Sequence, residues 1–347
     1  MLAGMPLRLR CAGACCVMTL LLGANASVAQ TLGVNGDHFT VDGIARFLVF
    51  VSYFHGLDRP GPTLSADLDW FTSKGVNGIR VWPNVSRPRL MKEDGDLDAA
   101  ALAKLRSLAT EAADRGMIVD VTFTREHVAG DFTMAEYRQA TAAAVNALRD
   151  HPNILFDLQN EWNCWADGSG MTSAALSDIW STVKAAGPAA VATASHSCHP
   201  YPHAGMHAFD VLSYHGPRDP VGTWATETNR LVRDLKAQLA ATPRPVRPVY
   251  LQEPNRFRYS FDTLGYYDDT ASHYWTSAKN AKLAGAAAWT FHTAACFNLS
   301  TATPFSSLLL AGERTVLDRL ATELAAQPEW GLERPRRPST PRIVHSP

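Results

Sequence analysis

The stretch FDLQNEW, residues 156–162, decides the fold class, because an apolar run ends abruptly within it on polar residues. That apolar run, residues 154–158, is typical of a short buried strand. Glu161 follows it closely, and a carboxylate at the end of an apolar strand is costly unless it is paired or used. A second run of the same kind, VYLQEP at residues 249–254, carries Glu253 at its end. Two such glutamates, far apart in the sequence, suggest two carboxylates that face one substrate bond.

Apolar runs and helical patterns alternate along the rest of the chain. The predicted strands are residues 48–53, 78–82, 117–123, 154–158, 190–195, 211–214, 249–252 and 286–291. The predicted helices are residues 64–74, 97–115, 133–149, 173–186, 223–239, 268–283 and 314–326. Eight apolar strands, each usually followed by a helix, predict an α/β protein with a single (β/α)₈ TIM barrel. The alternative, an open doubly wound sheet, would normally carry an early glycine-rich phosphate turn, and the sequence has none.

The chain divides into three segments. Residues 1–29 are predicted to be a signal peptide, since two arginines precede the apolar run 17–22 and small residues follow at 27–29. That run is too short to span a bilayer. Residues 30–327 are predicted to form the barrel, and residues 328–347, rich in proline and arginine, a loose tail. We therefore expect a secreted or periplasmic protein that is free of the membrane after cleavage.

A β-hairpin is predicted directly after the signal peptide. Residues 38–47 read as strand, Asp42-Gly43 turn, strand. We expect this N-terminal β-hairpin to cover the bottom of the barrel.

The charge balance excludes two classes of partner. The chain has 32 basic and 33 acidic side chains, a net charge of −1. No basic excess predicts a nucleic acid or an anionic membrane as a partner.

Three cysteines, Cys164, Cys198 and Cys296, remain after the signal peptide. In an oxidising compartment they allow at most one internal bridge and one spare thiol. Cys164 and Cys198 follow consecutive predicted strands and are the favoured pair. Three buried free thiols are an equally open alternative.

Metal ligands are not indicated by the spacing of cysteines or histidines. The cysteines match no zinc motif. A zinc site of His196, His199 and a carboxylate is an alternative, but Glu126-His127 lacks the helical His-Glu-x-x-His spacing. The sequence therefore predicts no metal and no other cofactor.

Polar and aromatic residues follow every predicted strand. In a barrel of this kind the active site lies at the C-terminal ends of the strands. The candidates, in strand order, are Tyr53, His55, Arg80, Trp82, Asn84, Arg125, Glu126, His127, Asn160, Glu161, Trp162, His196, His199, Tyr214, His215, Glu253, Asn255, Arg256, Trp289 and His292. Acids, histidines and aromatics thus crowd one rim of the predicted barrel.

In these residues the chain resembles the clan of TIM-barrel retaining glycoside hydrolases, most closely glycoside hydrolase family five, which contains cellulases and β-mannanases. The resemblance is carried by Asn160-Glu161 after the fourth strand and Glu253 after the seventh. It covers nearly the whole mature chain. Further matches are the hairpin residues 39–43, Gly78-Ile79-Arg80, Tyr214-His215 and Trp289.

The resemblance implies a role for each of these residues. Glu161 would be the general acid/base, Glu253 the nucleophile, and Arg80 the cation that holds Glu253 ionised. Asn160 would hold the sugar 2-hydroxyl. The remaining residues would bind the substrate or support the carboxylates, and they are Trp162, Tyr214, His215 and Trp289. No cofactor is implied, and the implied partner is a carbohydrate substrate.

Physical chemistry is consistent with these roles. Retaining hydrolysis needs two carboxyl groups about 5–5.5 Å apart with opposite protonation. The face of Trp289 would suit the apolar face of a sugar ring, as the stacking floor of the subsite at the cleaved bond. Adjacent strand residues face opposite ways, so only one of Tyr214 and His215 can point into the site. We favour His215, which is nearer the strand end.

Three departures from the family pattern bear on the substrate. Glu161 is followed by Trp162 in place of the usual proline, Glu253 by Pro254 in place of Phe-Gly, and the strand-six tyrosine and histidine are adjacent. The expected substrate is a β-linked poly- or oligosaccharide, with endo-glucanase or mannanase action first. An exo-acting glycosidase, a transglycosylase and a non-catalytic carbohydrate-binding barrel are the alternatives. Nothing in the sequence fixes the sugar, the linkage or the number of subunits.

Overall fold

The computed structural model describes residues 30–124, 132–163, 171–196, 209–218, 222–242, 245–257, 268–297 and 299–325. The predicted signal peptide, the C-terminal tail, the Cys164–Cys198 pair, His127 and His199 lie outside the described residues. Cys296 is buried as a free thiol. Within the described ranges, no helix is both long and apolar enough to cross a membrane.

Strands and helices alternate, as the sequence patterns predict. The strands are β1 Leu32–Asn35, β2 His38–Val41, β3 Ile44–Arg46, β4 Leu48–Ser52, β5 Gly78–Val81, β6 Ile118–Thr122, β7 Ile154–Asp157, β8 Val191–Thr193, β9 Leu212–Tyr214, β10 Val249–Leu251 and β11 Ala288–Phe291. The helices are α1 Gly61–Ser73, α2 Ala99–Asp114, α3 Met134–Ala147, α4 Ser173–Ala186, α5 Thr223–Ala240, α6 Ala271–Ala284, α7 Phe305–Leu308 and α8 Ala311–Ala325. Short 3₁₀ turns cover Gly56–Asp58 and Ala294–Phe297.

Eight parallel strands form a nearly closed barrel. The order is β8-β7-β6-β5-β4-β11-β10-β9, so neighbours in space are neighbours in sequence and β11 pairs back onto β4. Between β8 and β9, His196 and Tyr214 form a parallel bridge, with the His215 N–H donating to the His196 carbonyl at 2.8 Å. The predicted (β/α)₈ TIM barrel is therefore confirmed.

Side chains at two of the helix starts account for where those helices begin. The Asp98 carboxylate accepts a hydrogen bond from the Ala101 N–H at 2.8 Å and caps α2. Thr133 and Glu136 form a reciprocal capping box at the start of α3. Such caps satisfy N–H groups that have no partner within the helix.

Alternate strand residues divide into two apolar layers. The side chains that point into the bottom of the barrel form a small apolar cluster. Its members include Leu48, Phe50, Ile118, Leu155, Val191, Val211, Tyr250 and Ala288. The alternate residues pack outward against the helices in the main core, among them Val49, Val51, Ile79, Val81, Val119, Val121, Tyr214, Leu251, Trp289 and Phe291. This two-residue period decides which side chains can reach the site at the top of the barrel.

An antiparallel three-stranded sheet, β1-β2-β3, closes the bottom of the barrel. Its strands β2 and β3 are the predicted hairpin, joined through Asp42 and Gly43, whose φ angles of 54° and 77° suit a tight hairpin turn. Phe39 is fully buried in the cluster at the barrel bottom, with its ring centroid 6.4 Å from that of Tyr250. The hairpin prediction is confirmed, and the additional strand β1 pairs beside it.

Candidate active site

Glu161 lies just beyond β7 in a left-handed backbone conformation, with φ at 45°. A non-glycine residue there carries about 1 kcal/mol or more of strain, which the surrounding structure must offset. The ends of the neighbouring strands hold this turn. The Glu161 N–H donates to Ser195 Oγ at 3.1 Å, and the Asn160 N–H donates to the Phe123 carbonyl at 3.0 Å. The turn aims the carboxylate of Glu161 across the barrel mouth.

Glu253 lies just beyond β10, three strands away around the barrel. Its N–H donates to the His215 carbonyl at 3.1 Å, and its side chain is 4% exposed. One oxygen of each glutamate and the Nδ1 atom of His215 all lie within 4.8 Å of one another. The two carboxylates thus approach each other to within 4.8 Å between their nearer oxygens. This is close to the roughly 5–5.5 Å between the carboxyl groups of retaining glycosidases and below the roughly 6.5–9.5 Å of inverting ones.

Arg80 holds Glu253 from inside the barrel. Its guanidinium is fully buried, and Nη1 donates to Glu253 Oε1. Nη2 donates to the Asn160 side-chain oxygen at 2.8 Å, and Nε donates to Thr122 Oγ1 at 2.9 Å. Burial lowers the pKa of Arg80, but the charges of Glu253 and two buried aspartates more than offset this and raise it above its ordinary value.

Those two aspartates, Asp120 and Asp157, form a buried pair below the glutamates that sequence reasoning missed. Gln252 Nε2 donates to both, at 2.7 Å to Asp120 and 3.0 Å to Asp157. Burial raises the pKa of both carboxyls, and that of Asp157 to about 7, while the charge of Arg80 opposes the rise. Near neutral pH the pair therefore retains a proton for part of the time. Their signal in the sequence is an aspartate at an inward position of an otherwise apolar strand.

The two glutamates are ionised in the free protein. Burial raises the pKa of Glu253, but the neighbouring basic side chains of His215, Arg80, His292 and Arg218 hold it well below its usual range. Burial likewise raises the pKa of Glu161, but the hydrogen bond from His215 and the nearby positive charges bring it to about 2. Glu161 therefore needs to gain a proton before it can act as an acid.

His215 lies beside both carboxylates. Its Nδ1 is 3.0 Å from Glu161 Oε1 and 3.6 Å from Glu253 Oε2. Two proton arrangements fit the first contact: Nδ1–H donates to ionised Glu161, or protonated Glu161 donates to Nδ1. In the second arrangement, protonated Glu161 shares the single lone pair of Nδ1 with Arg218 Nη2, which lies 3.0 Å away as a competing donor. The contact can thus keep the acid form of Glu161 as well as the base form.

Two further side chains lie at the site: His292, which the sequence offered only as a candidate at the rim, and Arg218, which sequence reasoning missed. His292 Nε2 lies 3.6 Å from Glu253 Oε2 and accepts from Arg256 Nε at 2.6 Å, while its Nδ1 contacts Ser52 Oγ at 2.6 Å. Burial and the charge of Arg256 keep its pKa well below the ordinary value, so His292 is neutral. Arg218, in the loop after β9, contacts both glutamates.

Three aromatic residues that were assigned to the site are buried in the main core, on the helix side of the barrel wall. Trp289 is fully buried between β11 and α6, where its Nε1 donates to Ser277 Oγ at 3.1 Å. Tyr214 packs in the same outer core, and so does Trp162, whose indole meets the His196 ring edge-on at 5.0 Å. The prediction of Trp289 as a stacking floor is corrected, because the strand period places its neighbours in the barrel and the indole outside it.

Aromatic side chains do border the site on another side. Trp82, at the end of β5, is stacked on Phe54 with ring centroids 4.1 Å apart. The Arg80 guanidinium carbon lies 5.3 Å from the Phe54 ring and 5.4 Å from the Trp82 ring. Trp82 is 8% exposed, so these rings chiefly pack against the cation that holds Glu253.

A metal ion could draw three ligand atoms from this centre, one each from Glu161, His215 and Glu253. The same atoms are already close to positive charge. Arg218 Nη2 lies 3.2 Å from Glu253 Oε2, and Arg80 contacts the other oxygen of that carboxylate. Placing a cation among these groups would set it against two guanidinium groups, so the electrostatics favour a metal-free centre.

Comparisons with known proteins find likeness in structure and not in sequence. No protein-family model matches the chain, and no curated protein matches it. A solved structure described as a glycoside hydrolase superposes with a TM-score of 0.65 at 13% identity, over 83% of this chain and 73% of that one. An endo-1,4-β-mannanase from Rhizomucor miehei gives a TM-score of 0.61 at 13% identity, over 86% of this chain and 100% of that one.

A third similar structure is GH5_18 from Streptomyces cattleya in complex with GlcNAc. Its TM-score is 0.59 at 18% identity, and the match covers 82% of each chain. At these identities the likeness is one of fold. The chain therefore has the same barrel fold as glycoside hydrolases of family five and the mannanases.

Proposed function

We propose that the protein is a retaining glycoside hydrolase that cleaves β-linked glycans through a covalent intermediate. The observation that carries the proposal is the pair Glu161 and Glu253, held within 4.8 Å of each other at the C-terminal ends of β7 and β10. The barrel fold shared with glycoside hydrolases is consistent with it. Two carboxylates at this distance suit a double displacement better than a direct attack by water.

In the first step Glu253 acts as the nucleophile. Its carboxylate, ionised by Arg80 and its other basic neighbours, attacks the anomeric carbon and forms an ester bond. The bond between that carbon and the glycosidic oxygen breaks, and the oxygen takes a proton from Glu161. The proton reaches Glu161 from solvent before this step, and the protonated Glu161 can then donate to His215 Nδ1, because burial keeps the pKa of His215 below its ordinary value.

In the second step Glu161 acts as the base. It accepts a proton from water, whose oxygen attacks the anomeric carbon as the ester bond to Glu253 breaks. The Asn160 side chain, fixed by Arg80 at 2.8 Å, directly precedes Glu161 in the sequence and is proposed to hold the sugar 2-hydroxyl. Arg80 thus positions a substrate-binding amide and the nucleophile with one guanidinium.

The substrate class follows from the proteins that share the fold. One is an endo-1,4-β-mannanase, and another was solved with Manb1-4GlcNAc. We propose a β-linked mannan, glucan or related oligosaccharide for this protein. The N-terminal sequence pattern supports a secreted or periplasmic enzyme that meets such glycans outside the cytoplasm.

The mechanism is tested by rescue with azide. In Glu253→Ala, turnover of an aryl β-glycoside should fall by at least about 10³-fold, and azide should restore it by attacking the vacated face, giving a glycosyl azide of inverted configuration. In Glu161→Gln, the loss should be large for poor leaving groups and small for good ones, because only the former need the proton.

A matched control is Glu93→Gln, a change to an exposed carboxylate on the loop after β5 that should leave turnover unaltered. Calorimetry on the same glycans completes the test. Glycan binding by the wild type without any turnover would instead identify a carbohydrate-binding barrel. A glycosyl azide of inverted configuration from Glu161→Gln, and none from Glu253→Ala, would reverse the two roles.

A further inference from the structure

Arg218 lies against both glutamates, although it belongs to neither of the strands that carry them. Its Nε donates to the main-chain oxygen of Glu253 at 3.0 Å, and Nη2 lies 3.2 Å from Glu253 Oε2. Nη1 lies 4.0 Å from Glu161 Oε1. The side chain is 19% exposed, whereas that of Arg80 is fully buried. Arg218 is therefore on the side of the carboxylates that a substrate meets.

The backbone before Arg218 is shaped to bring it there. Gly216 has a φ of 105°, a conformation that residues with a side chain rarely adopt. A Cβ atom at this position would lie 3.3 Å from Pro254 Cα. The loop after β9 therefore passes closely over the residue that follows Glu253, which places the guanidinium of Arg218 beside the carboxylates.

The charges around Arg218 give it a distinct position. Among the residues that the structure describes, it is the one lysine or arginine within 4.0 Å of both glutamates. Arg80 contacts Glu253 from below and does not reach Glu161 to within that distance. The charged and titratable groups that face Arg218 are Tyr214 and His215 from the end of β9, Glu161 from β7, and Glu253 from β10, with Arg80 of β5, His292 of β11 and Arg256 behind them.

We propose that Arg218 is a positioning residue that keeps both carboxylates ionised at short range in the free enzyme and then stabilises Glu161 as the base. This inference rests on the proposed function. Two carboxylates within 4.8 Å repel each other, and without a shared cation one of them would take up a proton. The guanidinium of Arg218 offsets that repulsion for both.

The role changes once the glycosyl ester has formed. Glu253 then has no charge, so Arg218 acts on Glu161 alone and favours its ionised form. That is the form which accepts the proton of the attacking water while the ester bond breaks and the Glu253 carboxylate returns. One arginine would thus serve the nucleophile in the first step and the base in the second.

The test is the titration of the two carboxylates in Arg218→Gln and Arg218→Lys. Glutamate side chains labelled with ¹³C, assigned with Glu161→Gln and Glu253→Gln, report each pKa by NMR whether or not a substrate is turned over. In Arg218→Gln we expect the pKa of Glu161 to rise by about one unit or more, and in Arg218→Lys most of that rise to be absent. The matched control is Arg89→Gln, on the loop after β5, which should leave both pKa values unchanged.

The pH profile of kcat/KM gives the kinetic counterpart. Both limbs should move to higher pH in Arg218→Gln by a similar amount, which a purely structural role would not produce. If the pKa values of Glu161 and Glu253 are unchanged in a folded Arg218→Gln protein, the inference is overturned. If that variant does not fold, the wild type decides: a Glu161 that titrates above about pH 6 overturns it. If the wild type cleaves no glycan, the proposed function fails while the NMR titration still decides the inference.

Discussion

Trp289 is a residue at which this structure differs from what the family resemblance implies. Its indole is fully buried and hydrogen-bonded to Ser277, on the helix side of the barrel wall. We expect Trp289→Phe to lower the free energy of unfolding by about 1–3 kcal/mol, through a lost hydrogen bond and a small cavity, with little change in kcat/KM. Chemical denaturation and steady-state kinetics on the same preparation measure the two effects.

Ser277→Ala is the matched control for Trp289→Phe, because it removes the same hydrogen bond from the other side. The two losses of stability should then be less than additive in the double variant. A drop of kcat/KM by tenfold or more in Trp289→Phe at unchanged stability would return this residue to the substrate site.

At the residue scale, the sequence predicts a functional residue when the reason for its presence lies within a short stretch of the chain. Glu161 and Glu253 stand out because an acid at the end of an apolar strand needs a reason to be there. Arg218 gives no such signal, since its role comes from a contact between the loop after β9 and the end of β10. Asp120 and Asp157 were read as parts of apolar strands, although their inward position makes them partners of Arg80.

At the scale of elements, the strand and helix patterns were sufficient to define the barrel. The observed strands are shorter than the predicted ones because pairing stops where the chain turns into the site, as at Ile154–Asp157 against the predicted 154–158. The strand Leu32–Asn35 was missed because LGVN is short and contains glycine and asparagine, which disfavour strands. Antiparallel pairing with β2 stabilises this strand although its own residues have a low strand propensity.

The N-terminal sheet should stabilise the barrel without affecting the site. Phe39 of β2 fills the bottom of the barrel and is fully buried, at the end opposite to Glu161 and Glu253. We expect Phe39→Ala to lower the free energy of unfolding by about 3–5 kcal/mol. Below its unfolding temperature, the variant should keep the pH profile of the wild type.

Ile44→Ala is the control on the same sheet, since Ile44 is 54% exposed. Its effect should stay within about 0.5 kcal/mol. Urea denaturation measures both variants. If both variants lost the same free energy of unfolding, the sheet would pack only loosely on the barrel, and Phe39 would not fill the barrel bottom.

At the scale of the whole molecule, the buried pair Asp120 and Asp157 links folding to pH. The pKa of Asp157 is raised from 3.8 to about 7, so the folded protein binds a proton that the unfolded chain has released in this range. The stability from this group is present at acidic pH and is lost as pH rises from about 4 through about 7. Glu161 acts in the opposite direction, because its pKa of about 2 lies below 4.5 and its contribution is lost on acidification.

The two effects together place the maximum of stability near pH 4, where the Glu161 contribution is almost complete and the loss caused by Asp157 begins. In Asp157→Asn the amide cannot ionise, so Asp120 can stay ionised beside Arg80 without a second buried anion. We therefore expect the decline between about pH 5 and pH 8 to be smaller in the variant by up to about 3 kcal/mol. Urea denaturation across this range measures it, with Asp318→Asn, a half-exposed carboxylate paired with Lys74, as the control. A decline as steep in Asp157→Asn as in the wild type would mean that this pair is not what links the stability of the barrel to pH.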